Sequence, residues 1–351
     1  MRIETVIIKE RKLFTVRGKM REFKINSNDA GQRLDKFVQK AVKGIPVSLM
    51  YKAIRLKKIK VNRKRAEQKQ VLEQGDTVQM FLSEDLFSDK ITDNELFQVK
   101  VDLNIVYEDE NLLICDKAPG ILVHSGDGDG KVSGKGDAGD RNTLVYHIQA
   151  YLAQKGEYDP KEENSFAPAL CNRIDRNTGG MVIAAKNAQA LRDVNERIKN
   201  NRITKKYLCA VHGSLPQKSD TLCDFLVKDS KNNKVKVLKN KTRDAKEIIT
   251  KYSLVAYNKQ KELSLVEVEL VTGRTHQIRA HMASVGNPLL GDGKYGLNEK
   301  DRRLGYKHQA LYSYYLRFDG CEDSLAYMNE KVIRVKKESV YFLREFDGVE
   351  F

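Results

Sequence analysis

The sequence predicts an α+β chain: a small basic α/β module, then a larger domain built on a mixed, mainly antiparallel sheet. Three observations carry that expectation. The 351 residues suggest two domains at about 100–200 residues each. Of the net charge of +15, 15 − 6 = +9 falls within residues 21–82, where 15 Lys and Arg meet 6 Asp and Glu. Beyond residue 104, short alternating apolar runs at hairpin-like spacing interleave with helical stretches. They do not follow the regular β-α-β order of a doubly wound sheet.

Composition excludes several classes. With 40% hydrophobic and 32% charged residues, the chain can build a core, unlike a disordered polycation. No uncharged apolar run approaches the roughly 18 residues of a membrane span. The opening MRIETVIIKERK has no apolar stretch ahead of a small-residue cleavage site, so a cytoplasmic location is expected. Cys115, Cys171, Cys209, Cys223 and Cys321 are odd in number and form no C-x-x-C pair. They read as reduced thiols rather than disulfides or a zinc site. The basic excess then points to a polyanion, in the first place nucleic acid.

Taken in order, residues 1–20 read as an N-terminal extension, with Met20 a natural start for the basic module. That module spans residues 21–82. Residues 83–100 form a linker, in which SEDLFSDKITDNELF carries five acids and one Lys. Within the module, GQRLDKFV opens a helix. Ser48–Arg65 then carries eight basic residues and no acid. Leu49, Ala53, Ile54 and Leu56 fit one helix face, and Ile59–Val61 begin a strand. The cations Lys57, Lys58, Lys60, Arg63 and Lys64 lie at the helix end and in the adjoining strand and turn. An ordinary solvated face is the competing reading, but such faces mix signs, and a long acid-free stretch favours phosphate contact. Arg33–Asp35, Lys58–Asn62 and Gly75–Val78 together resemble the R-L-D helix, K-x-x-V-N strand and G-D-x-V strand of the S4-like RNA-binding fold. The resemblance adds Arg33 to the RNA-binding candidates. One departure is Leu49 after Ser48, where that family places Arg.

The larger domain is expected over 101–351. NIVYEDENLLICDKAPGILVHS supplies two short strands around an acidic turn. KKYLCAVHG, ITKYSLVAY and ELSLVEVEL read as strands, NTLVYHIQAYLAQKG and NAQALRDVNERIKNN as helices. The polar insert Ser125–Asp140 contains a literal G-x-G-x-x-G from Gly134 to Gly139, but it neither closes a strand nor opens a helix. Asp127 and Asp129 begin a calcium-loop pattern whose twelfth position is Ala138, not Glu. A Gly-rich loop is the better reading. The six histidines show no metal-ligand spacing, and no G-x-S-x-G is present, so neither a metal nor a serine nucleophile is expected.

Two segments carry candidate chemistry. In Asn172–Gly180 one Asp is bracketed by Arg173 and Arg176 ahead of the apolar run MVIAA. A carboxylate among cations stays ionised and suits a nucleophile better than a general acid. A surface turn with local ion pairs is the alternative. The second segment, Val271–Met282, is read as a helix with Thr275 as its N-cap and Gly286 as its stop. It brings Arg274 and Arg279 together near the sheet.

Together these segments resemble the pseudouridine synthases that modify large-subunit ribosomal RNA, the RluA-type (RluC/RluD-like) family with an N-terminal S4-like domain. The family motif H-R-L-D-x-x-T-S-G is met at Arg173, Asp175, Thr178 and Gly180, with Asn172, Ile174 and Gly179 departing. K-x-Y-x-A-x-V-x-G appears, shifted by one inside, at Lys205–Gly213, and G-R-T-H-Q-I-R-x-H is complete at Gly273–His281. Lys117–Gly120, Asn287–Asp292 and Gln309–Ser313 resemble flanking family segments.

The resemblance implies that 101–351 is a pseudouridine synthase domain. Such an enzyme breaks the N-glycosidic bond of a uridine, turns the base and rejoins it through carbon, with no cofactor. By the same resemblance Asp175 is the nucleophile, on the sugar carbon or on the ring. Tyr207 stacks on the flipped base and moves a proton, and Arg279 pairs with Asp175. Arg173 fills the vacated stack, Ile278 forms an apolar wall and Arg274 contacts the RNA backbone. The expected partner is 23S ribosomal RNA or a large-subunit precursor, bound by a monomer without membrane. Transfer RNA or another RNA is the alternative substrate. A non-catalytic RNA-binding or ribosome-assembly protein is the alternative function.

Overall fold

The computed structural model describes residues 20–42, 44–87, 94–124, 142–229, 234–320 and 322–350. The N-terminal extension, the Gly-rich insert with its two motif-like patterns, and Cys321 lie outside them. The chain divides into two compact units. The first comprises residues 20–100 with 149–168 and 187–189, and the second comprises 101–148, 169–186 and 190–350.

The first unit holds strands β1 (Arg21–Lys24), β2 (Ile59–Val61), β3 (Lys64–Arg65) and β4 (Thr77–Met80) in the antiparallel order β1-β4-β2-β3. Helices α1 (Leu34–Ala41) and α2 (Val47–Arg55) contribute Leu34, Phe37, Val38, Leu49, Met50, Ala53 and Ile54 to the core. Their three- and four-residue spacing gives each helix one apolar stripe. Leu56 departs from expectation. The helix ends at Arg55, Leu56 is 52% exposed, and Met50 completes the buried face instead. The cause is local: Lys57, at φ 59°, turns the chain out of the helix toward β2.

Asn62 and Arg63 both take positive φ in the two-residue turn from β2 to β3, as a type I′ hairpin requires. Asn62 secures it, donating to Asp76 at 2.7 Å and accepting from the Thr77 amide at 2.9 Å. Within 83–100 the chain forms a 3-10 turn (Glu84–Phe87) and the short helix α3 (Asn94–Gln98), with Leu96 buried. Residues 149–168 join this unit through Asp29, a fully buried carboxylate that accepts from Asn164 and Ser165, both at 2.6 Å.

The second unit is built on an eleven-stranded sheet. Its strands are β5 (Ile105–Glu108), β6 (Leu112–Lys117), β7 (Ala169–Leu170), β8 (Gly179–Ala185), β9 (Ile203–His212), β10 (Ser219–Asp229), β11 (Lys234–Leu238), β12 (Lys246–Asn258), β13 (Leu263–Leu270), β14 (Leu311–Phe318) and β15 (Val332–Arg334). The order is β11-β10-β12-β13-β9-β14-β8-β6-β5, with β15 on β14 and β7 on β8. Among the described ladders only β8–β14 is parallel, so the sheet is mixed and mainly antiparallel, as expected. β6 and β8 are buried at every position; β8 is an unbroken apolar run, whereas β6 is apolar over Leu112–Cys115 and ends in Asp116 and Lys117. Helices α4 (Leu144–Gln154) and α5 (Ala188–Lys199) form where the sequence predicts them, and α6 (Gln277–Ser284) and α7 (Asn298–Arg303) lie further along the chain. No helix among the described residues is long and apolar enough to cross a membrane.

Candidate active site

Asp175 lies in the turn between β7 and β8, and that turn is pinned from several sides. Asn172 accepts the Ile183 amide at 2.7 Å, folding the turn onto its own strand. The buried Lys117 ammonium donates to the carbonyls of Ala118, Ile121 and Arg176 at 2.9–3.0 Å. Arg176 and Gly120 exchange two further bonds, from the Gly120 amide at 2.9 Å and from Arg176 Nε at 3.0 Å. The two glycines that end the turn are there for space. A Cβ at Gly179 would sit 2.3 Å from the Tyr312 ring, and one at Gly180, where φ is +110°, 2.2 Å from the Ser313 carbonyl oxygen. Any larger residue would force β8 and β14 apart.

The other half of the site comes from α6. Arg279 Nη1 donates to Asp175 Oδ2 at 2.8 Å, while Nε and Nη2 donate to Asp292 Oδ2 and Oδ1 at 2.7 and 2.8 Å. Asp292 is fully buried and also accepts the backbone amides of Lys294 and Tyr295. A buried charge needs full compensation, and this one has four donors. Burial works against the Arg279 charge, but the two carboxylates outweigh it and hold the pKa above its ordinary value. Burial likewise opposes ionisation of Asp292, and the Arg279 guanidinium outweighs it, lowering that carboxyl.

The N-terminus of α6 differs from expectation. Thr275 is not the cap: the helix begins at Gln277, after His276 in the left-handed region at φ 55°. Gln277 closes the end instead, its Oε1 accepting from the Arg274 amide and the Thr272 hydroxyl, each at 3.0 Å. The turn at His276 places its Nε2 3.8 Å from Asp175 Oδ2, and Nδ1 meets the Tyr295 hydroxyl at 3.0 Å. Burial, together with Arg279 and Lys294, holds the His276 imidazole below its ordinary pKa against the pull of Asp175.

Tyr207 is buried on β9, across from Ser313 of β14. Burial pushes its phenol up to about 12, the Asp175 charge adding to the effect and Ser313 opposing it. Ile278 is buried beside Arg279. Arg173 and Arg274 stand exposed. The structure therefore brings Asp175 and Arg279 into contact, sets the Asp175 charge close enough to act on Tyr207, and leaves Arg274 outside that contact network. Sequence reasoning gave no role to Asp292, Lys117, Lys205 or His276. A signal existed for Lys117, a cation that with Asp116 closes the apolar run Leu112–Cys115. Lys205, two residues before Tyr207, has its pKa lowered by burial.

In the basic module, Arg33 pairs with Asp35, and Lys57, Arg63 and Lys64 are exposed. Lys58 and Lys60 are half-buried, and the Lys60 ammonium lies 5.6 Å from the centroid of the Phe81 ring.

Fold and site define the class: an enzyme with an S4 domain over residues 32–78 and an RNA pseudouridylate synthase domain matched over residues 111–284. The chain belongs to the RNA pseudouridine synthase family of the RluA type and is an isomerase. It is 33% identical over 309 residues to an uncharacterized RNA pseudouridine synthase of Mycoplasma genitalium, covering 86% of this chain and 90% of that one. It is 31% identical over 279 residues to ribosomal large subunit pseudouridine synthase C of Buchnera aphidicola subsp. Baizongia pistaciae, covering 79% and 81%. The fold is also similar to human RNA pseudouridylate synthase domain containing 4, with a TM-score of 0.51, 19% identity and coverage of 69% and 92%.

Proposed function

We propose that this enzyme converts specific uridines of 23S ribosomal RNA to pseudouridine, with Asp175 as nucleophile and without a cofactor. The observation that carries the reading is the Asp292–Arg279–Asp175 chain of hydrogen bonds, which orients one carboxylate at a turn and supplies no second acid of the kind a glycosidase uses. The naming of relatives as ribosomal large subunit synthases supports the substrate.

The isomerisation breaks the bond from C1′ to N1 and forms one from C1′ to C5. The C5 proton leaves, N1 gains a proton, and nothing else is consumed. A base inside a folded RNA must first leave its stack. Arg173, exposed beside Asp175, fills the space it vacates, and Arg274 contacts the backbone. Tyr207 stacks on the flipped base with Ile278 as the apolar wall. As a neutral phenol it exchanges a proton with the base. Arg279 keeps Asp175 aimed. Arg33, Lys57, Lys58, Lys60, Arg63 and Lys64 hold RNA phosphates, and the protein acts as a cytoplasmic monomer.

The test is a map of ribosomal pseudouridines in a strain lacking this gene, with and without a plasmid copy. Specific 23S sites should vanish and return with the copy. Loss confined to transfer RNA would overturn the substrate assignment.

A further inference from the structure

A pocket opens in the larger unit, on the face of the sheet opposite the candidate catalytic residues. Neighbouring residues on a strand face opposite ways. Ser313 lies across from Tyr207, and Tyr312 turns away to donate its hydroxyl to Asp116 at 2.7 Å. Lys117 likewise pins the Asp175 turn, while Asp116 lines the pocket. The cavity is about 520 Å3, within the roughly 300–1,000 Å3 typical of small-ligand sites.

Its chemistry is distinctive. Tyr306, Tyr312 and Tyr341 give it aromatic walls, with the rings of Tyr306 and Tyr341 6.2 Å apart. Lys307 and Arg344 line it as well, both exposed, and the Arg344 guanidinium lies 5.0 Å from the centroid of the Tyr306 ring. His308 lines the pocket too, with its Nε2 3.6 Å from where a Cβ on Gly120 would lie. Asn104 and Ser339 add further polar atoms. Burial, with Lys117, Arg176 and Lys307 nearby, keeps the His308 imidazole below its ordinary pKa.

We propose that this pocket takes an unpaired nucleobase of the substrate RNA, outside the reacting uridine, with its ring against Tyr341 and its phosphate at Lys307 and Arg344. Aromatic faces, ring-edge hydrogen bonds and cations are the means by which unpaired bases are read. The wall formed by Ala118 and Pro119 continues into Gly120, which bonds to Arg176 beside Asp175. An RNA strand that wraps around this turn from one face of the sheet to the other would reach both sites. The inference rests on the reading of the chain as an enzyme of ribosomal RNA.

The test uses the full-length enzyme and a 23S transcript substituted with 4-thiouridine. Irradiation should give a crosslink to Tyr306, His308 or Tyr341 from a nucleotide other than the one isomerised. The double variant Lys307→Glu, Arg344→Glu should raise KM for the transcript about tenfold, with a smaller change in the single-turnover rate at saturating RNA. An unchanged KM with no crosslink in the pocket overturns the proposal. So does binding of uridine monophosphate there without a transcript crosslink, which would mark a free-nucleotide site. If the wild-type enzyme forms no pseudouridine in the transcript, the functional reading fails, and the crosslink decides the pocket regardless.

Discussion

Asp292 grips Arg279 through both carboxylate oxygens, at 2.7 and 2.8 Å, leaving Nη1 to reach Asp175. The guanidinium is thereby fixed at two points before it meets the Asp175 turn. A planar fork can do this and an ammonium cannot. Arg279→Lys should therefore lower the single-turnover rate about 100-fold, the scale on which a misplacement of about 1 Å acts, although the charge is kept. Asp292→Asn should do the same and also lower the denaturant midpoint, because breaking a buried pair costs about 3–5 kcal/mol. Rates near wild type in both variants would remove Arg279 from the account.

Tyr207 is held as a neutral phenol by burial, which places its pKa at about 12. Its ionisation should leave no limb in the rate profile below pH 10. Tyr207→Phe keeps the ring and removes the proton, so RNA affinity should hold while kcat falls by about 100-fold, the lower end of general acid–base contributions. A wild-type kcat in this variant would confine Tyr207 to stacking.

His281 is fully buried between Thr250 Oγ1 at 2.9 Å and Asp224 Oδ2 at 3.1 Å. Burial lowers its pKa, with Lys239 adding to the effect and Asp224 opposing it. The unfolded chain then binds the proton more readily than the folded one, so stability rises with pH. It should be present above the ordinary histidine value of about 6.5 and be lost as pH falls below it. Denaturant midpoints at pH 7.5 and 5.5 test this. The drop should shrink in His281→Asn once its lower baseline is subtracted.

Replacing Lys57, Lys58, Lys60 and Lys64 by Ala should weaken RNA binding. The dependence of log affinity on log salt should become shallower by roughly 0.7–0.9 for each phosphate contact removed. Equal slopes in variant and parent would show these side chains to be merely solvated.

The core of the fold was legible because pattern and burial agree. The apolar runs of β6 and β8 are buried throughout, and α2 hides the face that Leu49, Ala53 and Ile54 predict. Leu56 and Thr275 escaped prediction because single backbone angles at Lys57 and His276 end or delay a helix, and spacing does not encode those angles. Asp175 and Arg279 stood out within dense motifs. Asp292 did not, since its role exists only once a residue 13 positions away along the chain folds against it. The pocket under Tyr306 and Tyr341 was equally hidden, drawing residues from positions 104 to 344.

Asp175→Asn tests the central claim most directly. The side chain keeps its size and can still accept from Arg279, so the fold and RNA binding should persist. Release of tritium from 5-tritiated uridine in ribosomal RNA, followed under single-turnover conditions, should fall to background while RNA affinity stays within about twofold of wild type, since exposed cations dominate that affinity. Release at the wild-type rate would contradict the assignment of Asp175 as the nucleophile.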